Sequence, residues 1–292
     1  MILVDLNQVM ISNLMAQIHG RGDVEVEENL LRHMVLNALR AARVKFKEEY
    51  GELVICCDDT NNWRKKIFPY YKAHRKKNRD ESDYDWPHIF NCLNNIRDEL
   101  KEFFPYKVLQ VDTAEADDII GVLCHEFGVQ LGSGAEKILI LSGDKDFIQL
   151  QQFVNVDQYD PIRKRKIAHK DPSLYMIEHI VKGDRGDGIP NALSDDDVFV
   201  TGKRQKPVRQ TTLNKIVDVV SSVPTFGTID DSYEWREGFH RNWKLIDLKH
   251  TPDHIKSEVH VQWNKPDKDR KHLFNYFVQK KLNNLVENIS EF

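Results

Sequence analysis

The chain has 292 residues, 40% hydrophobic and 30% charged, which is enough to bury one large core, or a main core with a satellite, without a partner. Its 42 basic and 46 acidic residues leave a formal net charge of only −4, so whole-chain charge selects no partner and any electrostatic argument must be local. No apolar stretch approaches the ~20 residues of a bilayer span, and Asp5 falls where a signal peptide would build its apolar region. Cys56, Cys57, Cys92 and Cys124 form no CxxC pair, so the expectation is a soluble, reduced, cytoplasmic protein with no membrane association.

Taken in chain order, the run Ile2–Leu6 predicts a strand carrying Asp5 near its end. Glu27–Tyr50 then sets Leu30, Leu31, Met34, Val35, Leu39 and Ala42 at helical spacing. A second strand, Leu53–Cys57, closes on Asp58 and Asp59. Five residues after Asp58 begins Trp63–Arg79, with eight Lys or Arg, no acid, and Trp63, Phe68, Tyr70 and Tyr71 interleaved. That mixture suits nucleic acid: Lys65, Lys66, Arg75, Lys76 and Lys77 would neutralise phosphates, while Trp63, Tyr70 and Tyr71 would stack on bases of a single strand or frayed end. The competing reading is a solvated face, which would normally mix both signs of charge.

Trp86–Phe104 predicts a second long helix and Val108–Val111 a third strand, followed by Glu115, Asp117 and Asp118 at the head of a helix over Ala116–Phe127. The fourth strand, Ile138–Leu141, leads to Asp144 and Asp146. After about residue 160 the rhythm becomes helical, at Ser173–Lys182 and near Arg209–Val220, with a polar loop at Gly183–Pro207 that holds Asp184 and Asp187. Lys271–Ile289 reads as one more amphipathic helix. Two smaller basic clusters, Arg163–Lys166 and Lys203–Arg209, read equally as phosphate contacts or exposed turns. The pattern as a whole predicts an α/β fold, a largely parallel central sheet flanked by helices, with a smaller, mainly helical C-terminal part.

Ligands of open α/β sheets bind beyond the C-terminal ends of the strands, and those positions are repeatedly acidic here. Any one of these acids alone reads as a helix cap. Six or more at one edge would repel one another unless a cation sat among them. Magnesium, which takes oxygen ligands and keeps several waters, suits a loose ring of Asp and Glu; zinc would call for His or Cys, and His250 and His254 read as a surface helix start. Two such ions, ~4 Å apart, would stabilise the attacking and leaving oxygens of a phosphodiester, and manganese can substitute. With no GxxxxGK[ST] and no GxGxxG, hydrolysis is favoured over ATP or NAD chemistry.

With these residues assembled, the chain resembles the flap endonuclease and 5′-to-3′ exonuclease family, PIN-like in its nuclease fold, and within it the ribonuclease H branch of T-even bacteriophages. The resemblance rests on AEADDII (Ala114–Ile120), SGDKDF (Ser142–Phe147), LVDLN at the start, CCDD (Cys56–Asp59), FPYYKAHR (Phe68–Arg75) and KGDRGDGIP (Lys182–Pro190), in family order over nearly the whole chain. It implies that Asp5, Asp58, Glu115, Asp117, Asp144, Asp146 and Asp187 surround two Mg2+ ions, with Asp118 and Asp184 as outer members. It implies also that Arg64 and Lys72 position or polarise the scissile phosphate as catalytic residues of a helical arch over 63–85. On this reading residues 1–182 form the catalytic domain and 183–292 a helical duplex-binding and C-terminal region. The continuation NALSDDDVFVTG (Asn191–Gly202) lacks the glycines that in many members shape a potassium-holding turn.

The implied substrates are RNA·DNA hybrid and duplex DNA with a 5′ flap or nick. The implied role is removal of RNA primers and adjacent DNA in lagging-strand replication, in the host cytoplasm if the chain is phage-encoded. A single-strand DNA-binding protein is an implied partner, and a monomer suffices. Two other readings stand beside it: a PIN-type single-strand ribonuclease, which is normally shorter and lacks the arch, and a non-catalytic nucleic-acid binding module.

Overall fold

The computed structural model describes residues 1–18, 26–130 and 134–292. In chain order the elements are β1 (Ile2–Asp5), α1 (Leu6–Ile18), α2 (Glu28–Tyr50), β2 (Leu53–Cys57), α3 (Arg64–Ile67), α4 (His74–Asp80), α5 (Trp86–Phe103), β3 (Lys107–Gln110), α6 (Ala116–Phe127) and β4 (Ile138–Leu141). They continue as β5 (Val156–Asp160), β6 (Arg165–Ile167), α7 (Pro172–Lys182), α8 (Val198–Thr201), α9 (Gln210–Ser222), α10 (Arg236–Ile246), α11 (Asp253–Trp263), α12 (Leu273–Gln279) and α13 (Asn283–Val286). Two compact units result: Met1–Asn61 with Asp83–Ala168 and Thr251–Phe292, and Asn62–Ser82 with His169–His250. Among the described residues no helix is long and apolar enough to cross a membrane.

The first unit is built on a six-stranded sheet in the order β3-β2-β1-β4-β5-β6. Its first five strands are parallel and β6 returns antiparallel to β5. The near-continuous apolar character of β1, β2 and β4 follows from helices covering both faces. β1 sits centrally, paired to β2 and β4, so consecutive connections diverge to either side of it and open a crevice at the C-terminal ends of β1 and β4. α2 buries Leu31, Val35, Leu36, Leu39, Ala42, Phe46 and Tyr50, a stripe at helical spacing, and ends where Gly51 turns with φ +88°. α5 starts at Asp85, whose side chain accepts from His88 N.

The C-terminal segment does not form the single helix expected over Lys271–Ile289. α12 stops at Gln279, Lys281 takes φ +57°, and Leu282 N donates to Phe277 O at 2.8 Å, the six-residue closure of a Schellman turn. This reversal turns Leu282, Leu285 and Phe292 into the same core as Tyr276, Phe277, Phe104 and the residues of α2. Upstream, the Gln262 side chain of α11 pairs with both backbone groups of Gln110 on edge strand β3, accepting from N at 3.1 Å and donating to O at 2.8 Å.

The second unit has its own core, formed by Phe68 and Tyr71 with apolar residues of α7, α9 and α10. Buried Asn242 of α10 donates to Ile180 O and Pro190 O, at 2.8 and 2.7 Å, fixing the loop that follows α7. At Gly238 a Cβ would lie 2.1 Å from Ala192 O, so the close approach of α10 to that loop requires glycine.

Candidate active site

Four strand ends of the first unit place acids along one edge. Asp5 closes β1, Asp58 follows β2, Glu115 caps α6 after β3 with Asp117 and Asp118 in its first turn, and Asp144 and Asp146 follow β4. Parallel register forces the juxtaposition: Asp5 pairs with Cys56, two residues from Asp58, and Val4 with Leu141, three from Asp144. Backbone and neutral side chains aim these carboxylates. Asp5 accepts from Gln8 N at 3.0 Å and Ser142 Oγ at 3.2 Å; Asp58 accepts from Asn7 Nδ2 at 2.5 Å and Ala116 N at 2.7 Å.

Burial pushes the Asp5 carboxyl up to about 7, with the charges of Asp58 and then Asp144 adding to the shift against the Gln8 and Ser142 hydrogen bonds. The donors to Asp5 carry no full charge, so its repulsion by Asp58 and Asp144 is relieved by its own protonation or by a bound cation. An oxygen-only donor set of this kind fits a hard divalent ion. Asp118 is placed differently: fully buried, it closes a capping box by accepting from Glu115 N at 2.9 Å and also accepts from Thr251 Oγ1 at 3.0 Å. Asp59, bonded to Thr113 N at 3.0 Å and Asn61 N at 3.2 Å, orders the loop beyond β2.

The remaining predicted residues belong to the second unit. Lys65, Lys66, Arg75, Lys76 and Lys77 are exposed, and Tyr70 is at the surface. Trp63, Arg64 and Tyr71 are buried: Arg64 stacks its guanidinium on the Trp63 ring, 4.6 Å from the centroid, and donates Nε to Leu245 O at 2.9 Å. Tyr71 packs in the core and donates its hydroxyl to Asp187 at 2.7 Å. Lys72, with φ +55°, and Arg75 pair with the same carboxylate at 3.5 and 2.7 Å, and Asp184 accepts from Asp187 N at 3.0 Å.

Several supporting residues escape sequence reading. Gln158 on β5 donates to Ser142 O at 3.0 Å and Asp144 O at 2.6 Å, and Gln8 accepts from Gly143 N at 2.5 Å, so these two amides hold the loop that presents Asp144. Asn7, inside LVDLN, was legible as a neighbour of Asp5 but not as a partner of Asp58. Gln158 had no signal at all, because β5 reads VDQYD, with neither a contiguous apolar run nor strict alternation to mark it.

Family models match along the chain: a 5′-3′ exonuclease N-terminal resolvase-like domain over residues 2–178, and a T4 RNase H C-terminal domain over residues 171–292. The chain is 30% identical over 301 residues to the ribonuclease H of Enterobacteria phage T4, covering 99% of this chain and 95% of that one. It is 27% identical over 191 residues to the flap endonuclease Xni of Shewanella pealeana, covering 61% of this chain and 67% of that one. The bacteriophage T5 flap endonuclease, solved in a pseudo-enzyme-product complex with DNA and metal ions, shares the fold with TM-score 0.62 at 12% identity, over 90% of this chain and 99% of that one.

Proposed function

The chain belongs to the 5′-3′ exonuclease family, and on that premise we propose that it is a magnesium-dependent, structure-specific nuclease that hydrolyses phosphodiesters near the 5′ end of a strand. Its proposed substrates are RNA·DNA hybrids and duplex DNA with a 5′ flap or nick. The observation that carries the reading is the row of carboxylates at the C-terminal ends of parallel strands, with Asp5 buried among them against its own electrostatic preference. Two magnesium ions, or manganese in their place, would supply charge at the attacking and leaving oxygens of the phosphodiester when bound there.

The chain's own residues divide the remaining work. Asp5, Asp58, Glu115, Asp117, Asp144 and Asp146 would hold the ions, aimed by Asn7, Gln8, Ser142 and Gln158. Asp184 and Asp187 are further acids proposed for the ions, and Asp118 supports the edge by closing the capping box at the head of α6. Lys65, Lys66, Lys76 and Lys77 would bind phosphates, Tyr70 would stack on a base, and Lys72 and Arg75 would orient the scissile phosphate. Trp63 and Arg64 would act from buried positions, as a stacked pair carrying fixed positive charge. Primer removal from lagging-strand fragments, beside a single-strand DNA-binding protein, is the role this chemistry serves. A binding module without chemistry has less support, because a row of carboxylates facing phosphate opposes binding and would not be retained together.

The deciding experiment is cleavage of a 5′-labelled flap or nicked RNA·DNA duplex in magnesium and in EDTA, with the unmodified chain and Asp144→Asn. Short 5′ products are expected only with magnesium, reduced about 10³-fold in the variant. Tight duplex binding without cleavage by either protein would instead leave the binding module standing. A second expectation follows from the Asp5 shift: because ligation requires the deprotonated carboxylate, magnesium should raise the melting temperature more at pH 8 than at pH 6. A gain independent of pH would remove Asp5 from the ligand set.

A further inference from the structure

One acid of KGDRGDGIP is engaged by the basic segment itself. The turn Asp184–Ile189 is closed by Ile189 N donating to Asp184 O at 2.7 Å and Asp187 N to Asp184 Oδ1 at 3.0 Å, which points the Asp187 side chain at residues 71–75. There Oδ2 accepts from the Tyr71 hydroxyl at 2.7 Å and lies 3.5 Å from Lys72 Nζ, while Oδ1 accepts from Arg75 at 2.7 Å. The backbone joins in: Lys72 N donates to Asp187 O at 2.7 Å and Arg75 Nε to Gly186 O at 3.1 Å. These bonds hold Lys72 in the left-handed region, φ +55°, which L residues with long side chains rarely occupy and which persists only where the surroundings over-determine it. Gly188, with φ +72°, allows the contact, since a Cβ there would sit 3.0 Å from His74 Nδ1 and 3.2 Å from Tyr70 O.

We propose that Asp187 is a positioning residue that anchors segment Tyr71–Arg75, fixing where Lys72 and Arg75 stand, and that it does so in the metal-free chain. The inference rests on the nuclease reading for what Lys72 and Arg75 then do; the anchoring itself is carried by the hydrogen bonds within one unit. A carboxylate has about four acceptor directions over its two oxygens, and at least three are committed here to charged or hydroxyl donors. A cation bound by Asp187 would therefore compete with the segment for the same oxygens. Metal binding and segment position are coupled through this side chain.

The test is limited trypsin digestion of the full chain in EDTA, following cuts after Lys72, Arg75, Lys76 and Lys77 relative to cuts in the first unit. Asp187→Asn is expected to speed cleavage of the segment about tenfold, because digestion tracks the population of the open form and charge-assisted bonds are lost. Gly188→Ala keeps the carboxylate but forces the turn away, so it should accelerate cleavage in the same direction. With substrate, Gly188→Ala should lower kcat and also lower the magnesium concentration for half-maximal rate, because Asp187 is released from the segment for the cation, whereas loss of a metal ligand would raise it. Digestion of both variants at the unmodified rate overturns the anchoring, whether or not the chain cleaves nucleic acid. If Asp187→Asn does not fold, Tyr71→Phe removes one anchor bond and carries the same comparison.

Discussion

Asp5→Asn is expected to melt at a higher temperature than the unmodified chain in EDTA at pH 8, while losing cleavage by about 10³-fold or more. The two effects share one cause. Burial and the charges of Asp58 and Asp144 raise the folded carboxyl from 3.8 to about 7, so the folded state keeps a proton that the unfolded chain releases. This contribution is fully present below about pH 4, is lost as pH rises through 7, and by pH 8 leaves a penalty of about 4 kcal/mol. Asparagine removes the charge and keeps both bonds, its carbonyl accepting from Gln8 N and its amide donating to Ser142 Oγ. A melting gain of roughly 5–10 °C at pH 8 follows, with little difference at pH 4. Equal melting temperatures at pH 8 would mean that the acidic edge carries no electrostatic strain, and the argument for a resident cation would lose its main support.

Glu99→Ala should be the most damaging substitution away from that edge, lowering stability by about 3–5 kcal/mol. Glu99 of α5 accepts from Arg32 of α2 at 2.6 and 2.9 Å and from the Tyr276 hydroxyl at 2.8 Å, and pairs with Lys280 at 2.5 Å. Arg32 is 1% exposed, so removing Glu99 leaves a guanidinium buried with Glu28 as its remaining acidic partner. Thermal melting at pH 7 measures the loss, and Glu99→Gln, which still accepts from Tyr276, should lose less; a change below 1 kcal/mol in the alanine variant would refute the assignment. The pH dependence runs opposite to that of Asp5. Arg32 and its neighbours hold the Glu99 and Glu28 carboxyls below the usual range against the cost of burial, so their contribution is present above the ordinary carboxylate pKa and lost as pH falls below it. The metal-free fold should be most stable between these two limits.

Much of the first unit was legible because its signals are contiguous. β2 and β4 are unbroken apolar runs of five and four residues, and their bounds in the structure match the expected ones. The acids after them are read in the same glance, since parallel strands bring their C-terminal ends to one edge. β5 and β6 were not legible: VDQYD interleaves acids with Val156 and Tyr159, and RKI is three residues long, so only the pairing of β5 with β4 and of β6 with β5 reveals them as strand. Lys281 gives no warning of its left-handed turn, because the six-residue closure depends on Leu282 finding a core. Composition likewise announced the aromatics of Trp63–Arg79 without saying which way they face. Trp63 and Tyr71 turn inward and Tyr70 outward, a choice made for Tyr71 by packing with residues of α7, α9 and α10.

The return of Thr251–Phe292 to the sheet unit bears on how the chain matures during synthesis. Strands β1 to β6 emerge from the ribosome before residue 168, yet the partners that complete their core, Tyr276, Phe277, Leu282, Leu285 and Phe292, emerge only after the whole of the second unit. Until then Glu99 lacks Tyr276 and Lys280, and the backbone of Gln110 at the sheet edge lacks Gln262. An unpaired edge beside an open apolar face is the state in which chains pair with the wrong neighbour. Emergence of the segment Thr251–Phe292, rather than completion of the sheet, is therefore the step that ends this chain's exposure to misassembly.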